Sequence, residues 1–189
     1  MADALGDVSR QVAVLRRNPT MNAAQVEIAA ADMVKQRIDR VLDQLEGERL
    51  IVENRRAELA AGIAAALRPP RTDWQAMGSE VRAVLRDMSG DEQELFLDSL
   101  QGDDALMVQY AVAGVHPALS RVPFGIHKAM RDALIERHEP TLLTRPADIA
   151  ARSTALDVVE DGIRRTAAEL VDFDQVAALR ALASGDDVP

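Results

Sequence analysis

The chain has 189 residues, enough for one domain or a small domain with long extensions, and a formal net charge of −9. That balance argues against nucleic acid or an anionic membrane as a partner, since both need a basic face. The absence of cysteine excludes disulfides, thiolate zinc sites and thiol catalysis. Nearly half the residues are hydrophobic but only 3% are aromatic, and alanine supplies much of the apolar count. Alanine favours helix and buries little area, so the expected core is a set of thin helix–helix seams.

Met1-Ala2-Asp3-Ala4 has no basic region followed by an apolar stretch, so no signal peptide is expected. No run approaches the roughly 18 apolar residues of a membrane span. The expected location is a cytoplasm. Of the 22 basic residues only Lys35 and Lys128 are lysines. With the high alanine content, this points to a GC-rich bacterial genome or a virus of such a host.

Residues 1–18 read as a short amphipathic helix, with Leu5, Val8, Val12 and Leu15 at helical spacing and Asn18-Pro19 as its stop. Within 19–68 a second pattern runs from about Met21 to Leu67 without a proline. Ala31, Ile38, Leu45, Val52, Leu59 and Ala66 recur every seven residues, and Val34, Val41, Leu42 and Ile63 widen the stripe. An unbroken helix of that length would span roughly 70 Å and reads as a coiled-coil-like arm. Glu48, Arg55 and Gly62 fall where the second seam position should be apolar. Either the seam is one-sided, or Gly47 turns the arm into a hairpin, or Glu48 and Arg55 set register against a partner helix.

Residues 69–145 form a compact module of short helices. Thr72-Asp73-Trp74-Gln75 and Ser89-Gly90-Asp91-Glu92 both match the capping-box pattern and should open helices over 73–88 and 90–100. Gly102-Asp103-Asp104 opens another, running to Gly114. His116-Pro117 makes a turn, and Pro123 starts a helix that reaches His138. Four of the five aromatics, Trp74, Phe96, Tyr110 and Phe124, lie here, so the main core is expected here. Residues 146–183 read as one long helix capped by Thr144, with Ile149, Leu156, Ile163 and Leu170 at intervals of seven, and 184–189 as a flexible acidic tail. No strand signal is present. The expected fold is all-α: a compact bundle of short helices flanked by two long coiled-coil-like helices. The simplest packing lays the long helices antiparallel.

The chemistry-bearing residues form no reactive set. His116, His127 and His138 are eleven apart. Pro117 and Pro123 take His116 off the helix of the other two, which would lie ~16 Å apart by helix rise, too far for one metal ion. They read as surface or helix-end histidines. The carboxylates cluster at helix starts, where capping accounts for them, and Asp172 and Asp174 would fall on different faces of one helix. No nucleophile elbow, P-loop, dinucleotide fingerprint or H-E-x-x-H occurs. No catalytic residue, cofactor or metal is expected. A helix-turn-helix over Arg121–Arg145 would carry five basic against three acidic residues, a weak patch with few side chains suited to base edges.

Two features suit protein partners. The seam residues Ile38, Leu45, Val52, Leu59, Ile149, Leu156, Ile163 and Leu170 are candidate contacts with a partner helix. Asp91, Glu92, Glu94, Asp98, Asp103 and Asp104, with no basic residue among them, form an acidic stretch beside the mildly basic 121–145. It is either a solvated face or a surface for complementary docking between copies.

Residues 105–140 combine an apolar helix from Ala105-Leu106-Met107-Val108, the turn His116-Pro117-Ala118-Leu119-Ser120, and a helix closing at Ile135-Glu136-Arg137-His138-Glu139-Pro140. This stretch, about a fifth of the chain, resembles a helix-turn-helix segment in small helical structural proteins of tailed bacteriophages. The resemblance implies a virion or assembly component at the head–tail region, with other virion proteins as partners; it carries over no functional residue. The expected function is a non-enzymatic structural or assembly protein working as a homo-oligomer. The alternative is a bacterial cytosolic adaptor or regulator that binds a partner protein through its helical module.

Overall fold

The computed structural model describes the backbone of residues 2–184 and side chains from Gly6 onward. Leu5, expected on the core face of the first helix, and the tail from Gly185 to Pro189 lie outside the described side chains and residues. The described residues form eight α-helices, two 3-10 turns and no strand. In order they are α1 (Ala2–Leu15), α2 (Ala23–Ala66), α3 (Thr72–Asp87), α4 (Gly90–Ser99), α5 (Gly102–Ala113), a turn at Pro117–Leu119, α6 (Phe124–His138), a turn at Pro140–Leu143, α7 (Arg145–Leu170) and α8 (Phe173–Ser184). The all-α class stands. Among these helices none is long and apolar enough to cross a membrane.

The chain gathers into two units. One holds the described residues up to Val52 and from Ala151 onward; the other is Glu53–Ala150. Both long helices therefore contribute to both units, whereas the sequence pattern set them apart as arms around a module.

In the first unit, α2 and α7 run antiparallel. Val41 and Leu45 pack with Ile163, supported by Ile38, Leu42, Leu156 and Val159. Further along, Ala30, Ala31 and Val34 meet Val8 and Val12 of α1, Ala167 of α7 and Val176 of α8. Alanine at three of these positions lets helices approach closely, the thin seam that the composition implies. Polar pairs flank it: Glu48 with Arg152, and Arg49 with Asp157 at 2.8 Å and Glu160 at 2.7 Å. Arg16 forks onto Glu27 at 3.0 Å and donates to the carbonyl of Leu170 at 3.0 Å, covering a helix-end acceptor of α7. The Glu27 bond raises the pKa of Arg16 above its ordinary value.

Two expectations fail here. The C-terminal helix is not continuous to 183. It stops at Leu170, and Asp172 Oδ1 accepts from the Gln175 N–H at 3.0 Å as the start of α8. Asp172 is thus a cap outside the helices rather than half of a helical D-x-D pair. Gly47, by contrast, lies within an unbroken α2, so the hairpin alternative falls.

In the second unit, Leu85 of α3, Val108 and Val112 of α5 and Val122 form a buried cluster with Phe96, Leu97, Ile126 and Met130 around it. Ala66, Ile135 and Leu142 form another, joined by Leu59, Ile63 and Leu67. Ser89 and Glu92 make the expected capping box: the serine N–H donates to Glu92 Oε2 at 2.7 Å, and the Glu92 N–H to Ser89 Oγ at 3.4 Å. The Thr72–Gln75 box does not form. The helix starts one residue earlier, with Arg71 at the cap position and no side-chain cap, while the Arg71 guanidinium is held by Asp73 at 2.6 and 3.1 Å. The Thr144 hydroxyl turns backward and donates to the Thr141 carbonyl at 3.1 Å.

Candidate docking cleft

Arg68-Pro69-Pro70 ends α2. Pro69 has no N–H to continue the ladder, and its ring disfavours helical backbone at Arg68. The last helical turns of α2 there meet the end of α5. Gly114 permits the approach: a Cβ on it would lie 3.0 Å from the Tyr110 carbonyl oxygen and 3.3 Å from that of Leu67. Beside this junction opens a cleft of about 590 Å³, floored by Ala60, Ile63, Ala64, Leu67 and Gly114 and edged by Arg68 and Arg131.

A second hollow, of about 340 Å³, shares Leu67 and Gly114 and is walled by Pro69, Trp74, Gly78 and Tyr110. The Trp74 and Tyr110 rings lie 6.1 Å apart at 41°, and the Arg71 guanidinium sits 5.3 Å from the Trp74 ring centre. Donation to the Asp73 carboxylate raises the Arg71 pKa, and the same bond holds the Asp73 carboxyl below its ordinary value. Arg82 Nη1 donates to the Ala111 carbonyl at 2.9 Å, covering a helix-end acceptor of α5.

Arg68 and Arg131 differ from these arginines. Among the described residues neither has an ion-pair or hydrogen-bond partner for its guanidinium. The sequence shows why: neither has an acidic residue three or four positions away, and Asp132 is taken by Lys128. The linings of these hollows hold no carboxylate and no histidine among the described residues. An apolar floor edged by free guanidinium groups suits an apolar side chain flanked by carboxylates.

The histidines are scattered. His127 is buried, not at the surface as expected, with Nε2 2.9 Å from the Val115 carbonyl oxygen. Since a carbonyl only accepts, that nitrogen carries the proton. His116 Nδ1 accepts from the Ala118 N–H at 3.3 Å and caps the Pro117–Leu119 turn. His138 is exposed in the last turn of α6. Among the described residues no three His, Asp or Glu side chains converge as a metal site.

The sequence candidates also separate. None of the eight seam residues is exposed; Leu45, Val52, Ile149 and Ile163 are buried, and the other four are half-buried. The stripe expected to meet a partner helix meets the chain's own helices instead, since seven-residue spacing marks a face that is covered without saying by what. All six acidic candidates are exposed; Glu92 closes its capping box and Asp103 lies 3.7 Å from Arg71. Sequence reasoning counted Arg131 only as one of the basic residues of 121–145 and passed over Arg68 as a site residue and the exposed Leu95; the usable signal was an arginine without an acid at helical spacing, and a leucine between acids. No family model, curated protein or solved structure matches this chain.

Proposed function

We propose that this chain is a non-enzymatic structural or assembly protein that works by association of its own copies. The cleft between the ends of α2 and α5 carries the reading: an apolar hollow edged by unpaired guanidiniums is built to hold a protein surface. The setting we propose is the virion of a tailed bacteriophage, at the head–tail region. It rests on the likeness of residues 105–140, which here comprise most of α5, the Pro117–Leu119 turn and α6, and on the preference for arginine over lysine. Light scattering with chemical crosslinking tests self-association: concentration-dependent oligomers are expected, and a monomer throughout the micromolar range counts against it. Capsid, portal or tail genes beside its gene would support the virion setting.

A second reading is favoured by the Trp74–Tyr110 wall, because Trp, Tyr and Arg dominate binding hot spots. It makes the chain an adaptor whose helical module binds a different protein. Trp74 is itself buried, so the exposed Arg71 is the residue to test: alanine there that removes binding to that protein, with self-association unchanged, would favour it.

A further inference from the structure

Helix α4 has two distinct faces. Gln93 is buried, and Phe96, Leu97 and Leu100 pack on the cluster around Leu85 and Val112. Asp91, Glu94, Leu95 and Asp98, at i, i+3, i+4 and i+7, share the opposite face and are all exposed. Leu95 is 73% exposed. An apolar side chain in that position contributes little burial to its own fold, yet it stands among three carboxylates with no basic residue anywhere in the helix. The cleft at the end of α2 has the converse character: Ile63, Leu67 and two alanines form an apolar hollow, and Arg68 and Arg131 edge it without partners among the described residues. In a chain with 31 acidic and 22 basic residues, two unpaired arginines beside one apolar hollow are a local reversal of the overall charge.

From this complementarity we infer that the outward face of α4 in one copy docks into the cleft of a second copy. Leu95 enters the apolar floor, and Glu94 and Asp98 face Arg68 and Arg131. The inference rests on the self-assembly reading and specifies its contact. Knob and hollow are different surfaces of the same unit, so the contact is heterologous. Each bound copy presents a fresh knob and a fresh cleft, and repetition closes a ring or extends a filament. Carboxylate–guanidinium pairs at the rim make the association weaken with salt, while Leu95 supplies the apolar contact.

The test is sedimentation velocity of the full chain across micromolar concentrations at low and raised salt. Three variants are compared: Leu95→Asp; Arg68→Glu with Arg131→Glu; and Asp91→Arg with Glu94→Arg and Asp98→Arg. All the substituted side chains are exposed except the half-buried Arg131, and circular dichroism melts confirm that each variant folds. Wild type is expected to form oligomers that dissociate as salt rises. Each variant alone should associate about tenfold more weakly or worse. An equimolar mixture of the two charge variants should restore assembly, because each supplies the surface the other's altered one needs. If wild type assembles and the variants assemble as well as it does, or if the folded charge variants fail to restore each other, the docking is overturned while self-assembly stands. A wild type monomeric at every concentration overturns both and leaves the cleft to an acidic segment of another protein.

Discussion

A Cβ on Gly62 would lie 2.9 Å from Cδ2 of Leu142, whose side chain is 1% exposed and packs with Ala66 and Ile135. Gly62 occupies a seam position where the heptad pattern calls for an apolar side chain. The Leu142 side chain fills the space instead, so the pattern is completed from outside the helix. Gly62→Ala would gain about 1 kcal/mol of helix propensity but crowd the fully buried Leu142 side chain against its neighbours, at a cost of about 1–3 kcal/mol. Gly47, in the same helix, has nothing within 4 Å of its would-be Cβ. Gly47→Ala should therefore stabilise by about 1 kcal/mol, whereas Gly62→Ala should destabilise on balance. Urea denaturation of the two variants checks the opposite signs, and shifts of the same sign would refute the packing argument.

Glu48 also falls at a seam position of the heptad pattern, and it pairs with Arg152 of α7. Next to it Arg49 bridges Asp157 and Glu160. These charged groups link α2 to α7 within the first unit, where the pattern left open a link to a partner helix. Both members of the Glu48–Arg152 pair are 43% exposed, so the pair is worth only about 0.5 kcal/mol. Arg49 has two acceptors and one of them, Glu160, is 21% exposed, so Arg49→Ala should cost more, about 1 kcal/mol. Swapping the first pair, Glu48→Arg with Arg152→Glu, should recover most of the loss seen in either single variant. A double-mutant cycle with no coupling energy would show that the pair has no part in register.

How much of this was legible depended on how local the cause was. The Ser89–Glu92 box and the helix stop at Pro69 are set within four residues, and the sequence shows both. The start of α3 is decided by Arg71 reaching Asp73 and Trp74, which competes with the Thr72 box. The break before α8 is hidden because Val171 and Val176 continue the apolar run; only Asp172, read as a cap instead of a helical acid, betrays it. The seam residues were found, but a period reports only that a face is covered. The candidate cleft was illegible for the same reason: it needs Leu67, Gly114 and Arg131, brought together by tertiary packing from three separate helices or helix ends. His127 was read as a surface residue because its acceptor, the Val115 carbonyl, belongs to a turn twelve residues earlier.

Gln93 holds the end of α3: its Nε2 donates to the Leu85 carbonyl at 2.7 Å from a side chain 2% exposed. Its Oε1 has no hydrogen-bond partner among the described residues. The Leu85 carbonyl also accepts from the Met88 N–H at 3.3 Å, so the Gln93 amide gives this helix-end acceptor a second, shorter hydrogen bond inside the core. Gln93→Glu keeps the shape and replaces the donor by an ionised acceptor facing a carbonyl. A loss of about 3 kcal/mol is expected at neutral pH, and it should shrink in acid, where the protonated carboxyl can again donate. Gln93→Met removes the donor without burying a charge and should cost less, about 1–2 kcal/mol. Chemical denaturation at neutral and acidic pH would reverse this account if the methionine variant proved the weaker of the two.

Three carboxylates are held below their ordinary pKa: Glu92 by the Ser89 N–H and then its hydroxyl, Glu160 by the hydrogen bond from Arg164, and Asp73 by that from Arg71. A folded pKa below the unfolded one means that the unfolded chain takes up a proton first as pH falls. The stabilisation is therefore complete above the ordinary carboxylate range and is lost progressively as pH drops through the lowered folded values. The melting temperature should stay level from neutral pH down to about 5 and decline below that. Glu92→Gln and Glu160→Gln each remove one titrating group while leaving an acceptor oxygen in place. Each variant should start from a lower melting temperature at neutral pH and decline less steeply in acid, so that the curves converge with wild type at the lowest pH. Because Glu92 and Asp73 are exposed and Glu160 is partly so, the convergence should be reached sooner at high salt, where the pairs with Arg164 and Arg71 are screened and only the Ser89 cap of Glu92 keeps its full effect. Parallel wild-type and variant curves would show that these bonds do not set the acid limit of the fold.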